Sequence, residues 1–278
     1  MSPAEWESLL LTATERVRTE VSALSRKEDR GRTVGVGASG DKTIIADKRA
    51  EGLLLGAIGR VENVRILSEE AGSVGDAKAK TLAIIDPLDG SSNFERGIPF
   101  YCTSVAVVEG ASIEDTRVGV VRDLVSGDVY HATRGGGAKK NGRRIRTSEV
   151  TKLALAVVGV DLSRSTTNLV ERLAPLISGA KRHVHLGANA LELCYLADGT
   201  IDAFIDARES IRITDFAAAF LIAREAGAKI TGVDGGGLEP RFDLEHRFSF
   251  VGSANPTLHD EILTYCRNLQ RGEELGLR

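Results

Sequence analysis

An apolar run that ends in a short string of acids and hydroxyls constrains this chain more than any other feature. Residues 81–85 (TLAII) show no polar alternation, which predicts a strand covered on both faces. The chain then continues as Asp86-Pro87-Leu88-Asp89-Gly90-Ser91-Ser92-Asn93. Pro87 fixes its own φ and disfavours helix at Asp86, so we expect a sharp turn at the carboxyl end of the strand. Both aspartates of this turn then converge on one point at the edge of a sheet.

The two aspartates predict a cation site. Two carboxylates in one small volume repel each other unless a cation lies between them, and Mg²⁺ prefers such oxygen ligands. Gly90, Ser91 and Ser92 follow with backbone N–H groups and hydroxyls that suit phosphate oxygens. The alternative is an ordinary Asp-Pro turn with a side-chain cap, which a bare DPxD pattern leaves equally open. The full ten-residue string is more specific than that pattern.

A second acidic pair follows the preceding predicted strand. Residues 64–67 (VRIL) indicate a short strand, and Glu69 and Glu70 come directly after it. Taken alone, adjacent glutamates are more often part of a solvated loop or a helix start. Because this pair also lies at the carboxyl end of a strand, we expect it to join Asp86 and Asp89.

Three segments together resemble the inositol monophosphatase and fructose-1,6-bisphosphatase superfamily: Glu69-Glu70, residues 86–94 (DPLDGSSNF) and residues 212–218 (RITDFAA). The resemblance extends over nearly the whole chain, to about Asn255. It implies an α+β fold, a five-layered αβαβα sandwich, and a lithium-sensitive, Mg²⁺-dependent sugar phosphatase. The metal ligands that it implies are Glu69, Asp86, the Leu88 carbonyl, Asp89 and Asp215.

The resemblance also implies which groups act on water. Residues 43–47 (TIIAD) match a Thr-x-x-x-Asp segment of the superfamily. Its aspartate, here Asp47, pairs with the Ser91 hydroxyl to orient the attacking water, beside Glu69 and Glu70. Thr214 replaces the usual aromatic residue, and DGS replaces the DGT of many members. Neither departure removes a ligand or a hydroxyl.

Arg208 is the residue that bears most on substrate choice. It lies seven residues before Asp215, where inositol monophosphatases commonly carry a glutamate that binds a sugar hydroxyl. An arginine reverses that charge and offers a fork for a second phosphate, although a surface salt bridge is the alternative.

Residues 185–193 (HLGANALEL) are similar to archaeal-type dual enzymes that hydrolyse both fructose 1,6-bisphosphate and inositol 1-phosphate. The arginine that reaches the distal phosphate in that subfamily aligns with Val184, and Arg182 lies two residues away. Asn189 is equally explained as a polar residue at a helix start. The expected substrate-binding residues are Asp89, Gly90, Ser91, Ser92, Arg182, Asn189 and Arg208.

The resemblance therefore implies a phosphomonoesterase of carbohydrate metabolism and gluconeogenesis that uses a metal-activated water. It converts fructose 1,6-bisphosphate to fructose 6-phosphate and also hydrolyses inositol 1-phosphate. Two or three Mg²⁺ ions, Mn²⁺ as a substitute, inhibition by Li⁺ and a homodimer are expected from the family. The alternatives are an inositol monophosphatase only, a 3′(2′),5′-bisphosphate nucleotidase, and a non-catalytic partner protein that keeps the fold.

Composition narrows the class of protein. The formal net charge is -3 and both signs are spread along the chain, so no basic face indicates nucleic-acid binding. No apolar run is long enough to span a membrane. Cys102, Cys194 and Cys266 lie far apart without CxxC spacing, so we expect no disulfide framework, as suits a reducing cytoplasm. Residues 35–40 fit GxGxxG, but no apolar strand precedes them, so we reject a dinucleotide site.

Periodicity predicts the remaining organisation, with a lobe boundary after residue 148. Residues 1–148 form an α+β lobe and residues 149–278 an α/β lobe. The first lobe has a helix over residues 6–24, a mobile loop over 31–42, a helix over 46–58, and an antiparallel meander over 102–108, 117–123 and 129–133. The second lobe has strands over 155–160 and 201–206, with helices over 167–177, 188–197, 215–225 and 256–269.

Overall fold

The computed structural model describes residues 1–26 and 30–274 of the chain. These residues contain seven α-helices and fifteen strands. The helices are α1 (Pro3–Ser25), α2 (Ile45–Ile58), α3 (Ser91–Arg96), α4 (Thr167–Gly179), α5 (Asn189–Ala197), α6 (Ala217–Ala226) and α7 (Pro256–Glu274). The first ten strands are β1 (Thr33–Val36), β2 (Lys42–Ile44), β3 (Val64–Ser68), β4 (Gly72–Gly75), β5 (Thr81–Asp89), β6 (Cys102–Val108), β7 (Thr116–Asp123), β8 (Val129–Thr133), β9 (Gly137–Lys140) and β10 (Arg143–Arg144). The others are β11 (Val157–Val160), β12 (Arg182–Val184), β13 (Ala203–Ile211), β14 (Lys229–Thr231) and β15 (Phe248–Ser253).

The strands form two sheets and a hairpin. The larger sheet has eight strands in the order β10-β9-β8-β7-β6-β5-β3-β4. β6, β7 and β8 form the predicted antiparallel meander, which β5 extends on one side and β9 and β10 on the other. β3 and β5 are parallel neighbours, so their carboxyl ends meet at one edge. The second sheet has the order β12-β11-β13-β15-β14, and β1 pairs with β2.

The sheets alternate with three layers of helix. α1 and α2 cover the outer face of the larger sheet, α5 and α6 lie between the two sheets, and α4 packs with α7 on the far side of the second sheet. This is the predicted α+β sandwich. The central apolar cluster joins Leu82 of β5, Leu191 of α5 and Phe250 of β15, so it crosses residue 148. The two-lobe division stays a prediction.

The first helix shows how local sequence sets one of these elements. Ser2 caps α1: its hydroxyl accepts from the Glu5 N–H, and the Glu5 carboxylate accepts from the Ser2 N–H at 2.7 Å. Leu10, Val17 and Val21 then recur on one face and are fully buried against the larger sheet. No helix within the described residues is long and apolar enough to cross a membrane.

Several predicted boundaries are wrong, and two of them lie beside the site. β5 does not stop at Ile85 but continues to Asp89, because a bulge between Asp86 and Asp89 absorbs Pro87 opposite β6. The helix expected from Asp215 begins at Ala217, which leaves Asp215 in the preceding turn. The loop expected over residues 31–42 contains the hairpin of β1 and β2, and its mobility stays a prediction.

Candidate active site

A polar cavity of about 540 Å³ opens beside the carboxyl ends of β3 and β5. Its walls come from the β1–β2 hairpin, the bulge of β5, the start of α3 and the turn before α6. The lining is dominated by acids: Asp41, Asp47, Glu69, Glu70, Asp86, Asp89, Glu95 and Asp215. So many carboxylates in one cavity indicate that it binds cations.

Strand pairing brings the acids together. Because β3 and β5 are parallel, Glu69 after β3 and Asp86 near the end of β5 reach the same edge, and the Glu69 N–H donates to the Ile85 carbonyl at 3.2 Å. Asp215 reaches this edge from the turn before α6, where Thr214 Oγ1 donates to Asp215 Oδ1 at 2.8 Å. One carboxylate oxygen from each of Glu69, Asp86 and Asp215 lies within 4.8 Å of the other two.

Burial raises the pKa of every member of this three-carboxylate cluster, and repulsion adds to it for Glu69 and Asp86. The pKa of Asp86 is raised mainly by burial, and next by the charges of Glu69 and Asp215. Burial also raises the pKa of Glu69, and Asp215 adds to it, while Arg212 opposes it. The charged form of the cluster is therefore costly without a compensating cation. Closely spaced oxygen ligands of this kind fit a hard divalent ion such as Mg²⁺.

Asp89 and Leu88 lie beside the cluster. Asp89 Oδ2 accepts from the Ala190 N–H at the start of α5 at 2.8 Å and from the Cys102 thiol at 3.5 Å. The Leu88 N–H donates to Asp86 Oδ1 at 2.9 Å, which fixes the bulge. All five residues expected to bind metal thus line one cavity. Their coordination of an ion stays a prediction.

The residues expected to act on water line the same cavity. Asp47 Oδ2 accepts from the Ile44 N–H at 2.7 Å, and burial, reinforced by the charge of Glu70, raises the pKa of Asp47 to about 8. Thr43 Oγ1 donates to the Glu70 carboxylate. Ser91 begins α3, and it reaches the cavity with Ser92.

The backbone conformation at position 90 requires a glycine. Its φ is 89°, and a Cβ built there would lie 3.0 Å from the Phe100 carbonyl oxygen. A side chain at this position would therefore be strained and would also displace its neighbours. Gly90 holds the chain between Asp89 and Ser91 in the conformation that brings both residues to the cavity.

Three of the expected substrate-binding residues are not part of the described cavity lining. Arg208 instead forms buried ion pairs with Asp161 (2.5 Å) and Asp206 (2.6 Å), two acids that satisfy its charge. Arg182 is exposed on β12, beside a separate groove. Asn189 is the first residue of α5, and its buried Oδ1 has no hydrogen-bond partner among the described residues. Their contacts with substrate stay predictions.

Three cations of the lining were not predicted: Lys42, Arg164 and Arg212. Arg212 Nη1 binds Glu69 Oε1 at 2.5 Å and its Nη2 binds Asp41, so these acids raise the pKa of Arg212. The RITD segment contains Arg212, but its spacing gives no sign of these partners. Arg164 has no local motif that would have identified it.

Comparisons with known proteins show which family this chain is similar to. The model of the inositol monophosphatase family matches residues 5–271. A fructose-1,6-bisphosphatase/inositol-1-monophosphatase of Methanothermobacter thermautotrophicus is 36% identical over 270 residues, covering 93% of this chain and 95% of that protein. One from Archaeoglobus fulgidus is 35% identical, covering 89% and 92%. The crystal structure of an inositol monophosphatase-fructose 1,6 bisphosphatase superposes with a TM-score of 0.84 at 30% identity, covering 94% of this chain and 99% of that one.

Proposed function

Since this chain belongs to the inositol monophosphatase family, we propose that it hydrolyses fructose 1,6-bisphosphate and inositol 1-phosphate with Mg²⁺. The family consists of metal-dependent phosphatases that act on small phosphate substrates, and this chain is such an enzyme. The dual substrates are those named for its archaeal relatives. Free, buried cysteines are compatible with a cytoplasmic enzyme, and a homodimer stays a prediction from the family.

The observation that carries the proposal is the cluster of Glu69, Asp86 and Asp215 within a cavity that also holds Ser91 and Asp47. These three carboxylates, with Asp89 and the Leu88 carbonyl, are the residues that would hold two or three Mg²⁺ ions. Mn²⁺ is expected to substitute, and Li⁺ to inhibit. The bound metal would neutralise phosphate charge and lower the pKa of a water molecule.

The remaining groups position the reactants. Asp47 and the Ser91 hydroxyl would orient the water for in-line attack on phosphorus, and the raised pKa of Asp47 makes its carboxylate a stronger proton acceptor once it is ionised. Glu70, bonded to Thr43, lies on the same hairpin side of the cavity. Backbone and hydroxyl groups of residues 90–92 would hold the phosphate oxygens. No covalent nucleophile is needed.

Phosphate release with Mg²⁺ tests the proposal. Fructose 1,6-bisphosphate, inositol 1-phosphate, glycerol phosphate and a nucleoside 3′,5′-bisphosphate are compared at equal concentration. We expect the first two to be preferred. Preference for the nucleotide would instead favour the nucleotidase alternative, and no release from any substrate would favour the non-catalytic one.

A pair of aspartate variants ties the activity to the cluster. Asp86→Asn should keep the fold but lower kcat by about 10³-fold or more, because a ligand and a charge are lost together. Asp260→Asn, a change at an exposed residue of α7, is the matched control, and its kcat should equal that of the unmodified chain. Near-normal turnover of Asp86→Asn would refute the assignment.

A further inference from the structure

Two of the three cations in the cavity lining have no partner in the part of the chain that the structure describes. Arg212 is held by Glu69 and Asp41. The side chains of Lys42 and Arg164 make no ion pair or hydrogen bond with any described residue. They are therefore the cationic groups of this cavity that remain available to an anionic ligand.

Arg164 is carried by a loop that buried groups hold in place. The loop joins β11 to α4, and the Ser163 N–H donates to Asp161 Oδ1 at 2.8 Å. Arg208 Nη1 donates to the Ser163 carbonyl at 2.9 Å, and the Ser163 hydroxyl contacts His185 Nε2 at 2.9 Å. Arg208 and Asp161 are both nearly inaccessible to solvent and bind each other. Arg208 thus supports the loop next to Arg164.

The backbone of Arg164 is also unusual. Its φ is 57°, in the left-handed region that residues other than glycine seldom adopt. Such a conformation persists where surrounding contacts impose it, and it is frequent at ligand-binding sites. The neighbouring Ser163 is held through its N–H and its carbonyl, and Arg164 lines the cavity.

The position of Arg164 relative to the proposed reaction separates it from Lys42. Lys42 lies on β2, the strand whose Ile44 N–H donates to Asp47 and whose Thr43 hydroxyl donates to Glu70. In an in-line displacement the leaving alcohol lies opposite the attacking water. With Asp47 orienting the water, the alcohol part of the substrate would point away from the hairpin. Arg164, on a loop of the second sheet, is the cation of this lining that lies outside the hairpin and has no partner among the described residues.

We propose that Arg164 binds a second phosphate on the alcohol part of the substrate, and so favours sugar bisphosphates over monophosphates. A guanidinium binds phosphate through two parallel N–H donors, and an uncommitted one gives up no protein contact to do so. The many carboxylates of the cavity would otherwise repel this distal phosphate. The inference rests on the proposed function, because it assumes that a phosphate ester is cleaved here.

Steady-state kinetics with Mg²⁺ test the inference on the full chain. Arg164→Gln should lower kcat/KM for fructose 1,6-bisphosphate by about 10- to 100-fold, the range for loss of a charged hydrogen-bonded pair, and change that for inositol 1-phosphate by less than about twofold. Arg164→Lys should recover part of the loss, because it keeps the charge without the fork.

Ligand binding supplies a readout independent of turnover. Fructose 6-phosphate carries only the distal phosphate, so calorimetry should show its Kd rising about 10-fold or more in Arg164→Gln. The Kd of inorganic phosphate should stay unchanged. Lys42→Gln is the paired variant and should change kcat/KM for fructose 1,6-bisphosphate and for inositol 1-phosphate by the same factor. Arg143→Gln, at an exposed arginine of β10, should affect neither.

The outcomes separate the two hypotheses. If the unmodified chain hydrolyses both substrates and Arg164→Gln lowers both equally, or neither, the inference is overturned while the proposed function stands. A selective loss in Lys42→Gln instead of Arg164→Gln also overturns it. If the unmodified chain hydrolyses neither substrate, the proposed function and the inference fail together.

Discussion

The carboxyl groups of Asp86 and Asp215 lie within 4.8 Å of each other, although they come from opposite halves of the sequence. Asp86 sits in the bulge of β5 and Asp215 in the turn before α6, so the cluster forms only when both halves of the chain have folded. Burial raises the pKa of both groups, and the charges of Glu69 and Asp215 further oppose ionisation of Asp86. A bound divalent ion would remove this repulsion, which couples metal binding to stability.

Mg²⁺ is therefore expected to stabilise the protein against heat. An ion that binds only the folded chain adds about 2.7 kcal/mol at 100 times its Kd, which raises Tm by roughly 5–10 °C relative to protein in EDTA. Asp215→Asn should raise the Tm of the metal-free protein, because it removes repulsion, and should abolish most of the Mg²⁺ response. Asp260→Asn should keep the full response. Calorimetric scans in which Asp215→Asn responds like the unmodified chain would contradict the cluster as the metal site.

The sequence predicted the residues of this cavity where local pattern and strand order decide their position. Apolar runs that end in acids predicted the edge where Glu69 and Asp86 meet, and the parallel pairing of β3 with β5 explains why the pattern was sufficient. The bulge that extends β5 to Asp89 was not predicted, because Pro87 indicates a turn unless a neighbouring strand accommodates it.

Contacts between distant segments account for what the sequence did not predict. The ion pairs of Arg208 with Asp161 and Asp206 were not predicted, because only the packing of β11 beside β13 brings Asp161 to it, and phosphate binding by Arg208 stays a prediction. Arg164 was overlooked because neither its left-handed backbone nor its support by Arg208 has a local signature. Ion pairing across strands depends on tertiary structure, which residue spacing does not encode.

Asn93 is expected to be a stability determinant of the site. Its amide donates to the carbonyls of Phe100 (2.8 Å) and Leu186 (2.7 Å), and so joins α3 to the turn before α5. Asn93→Ala should lower the free energy of unfolding by about 1–3 kcal/mol, because two carbonyls lose their donor. Asn93→Asp should cost more, since a carboxylate would face those carbonyls. Urea unfolding measures both, and equal stability of the two variants would contradict this account.

Gly90 is expected to be intolerant of a side chain. Gly90→Ala must place a Cβ 3.0 Å from the Phe100 carbonyl oxygen at a φ of 89°. We expect a loss of about 1–3 kcal/mol and a large fall in kcat, because Asp89 and Ser91 would shift together. Gly56→Ala, in the last turn of α2 where a Cβ meets no atom within 4 Å, is the matched control and should be neutral or stabilising. Phosphate release and urea unfolding provide the two measurements.

His259 is expected to make stability depend on pH far from the cavity. The ring is buried in α7, with Nε2 2.9 Å from Thr231 Oγ1 and Nδ1 3.2 Å from Ser253 Oγ. Burial, aided by the charge of Lys229 and opposed by Asp260, lowers the pKa of His259 to about 4.

An unfolded histidine titrates near pH 6.5, so between pH 4 and pH 6.5 the unfolded chain binds a proton that the folded chain does not. The stability due to the neutral ring is thus complete above about pH 6.5 and is lost progressively down to about pH 4, by roughly 3 kcal/mol. His259→Gln removes this titration, so the difference in unfolding free energy between it and the unmodified chain, measured by urea in EDTA, should shrink from pH 7.5 to pH 4.5. A difference that stays constant with pH would show that His259 does not titrate as described.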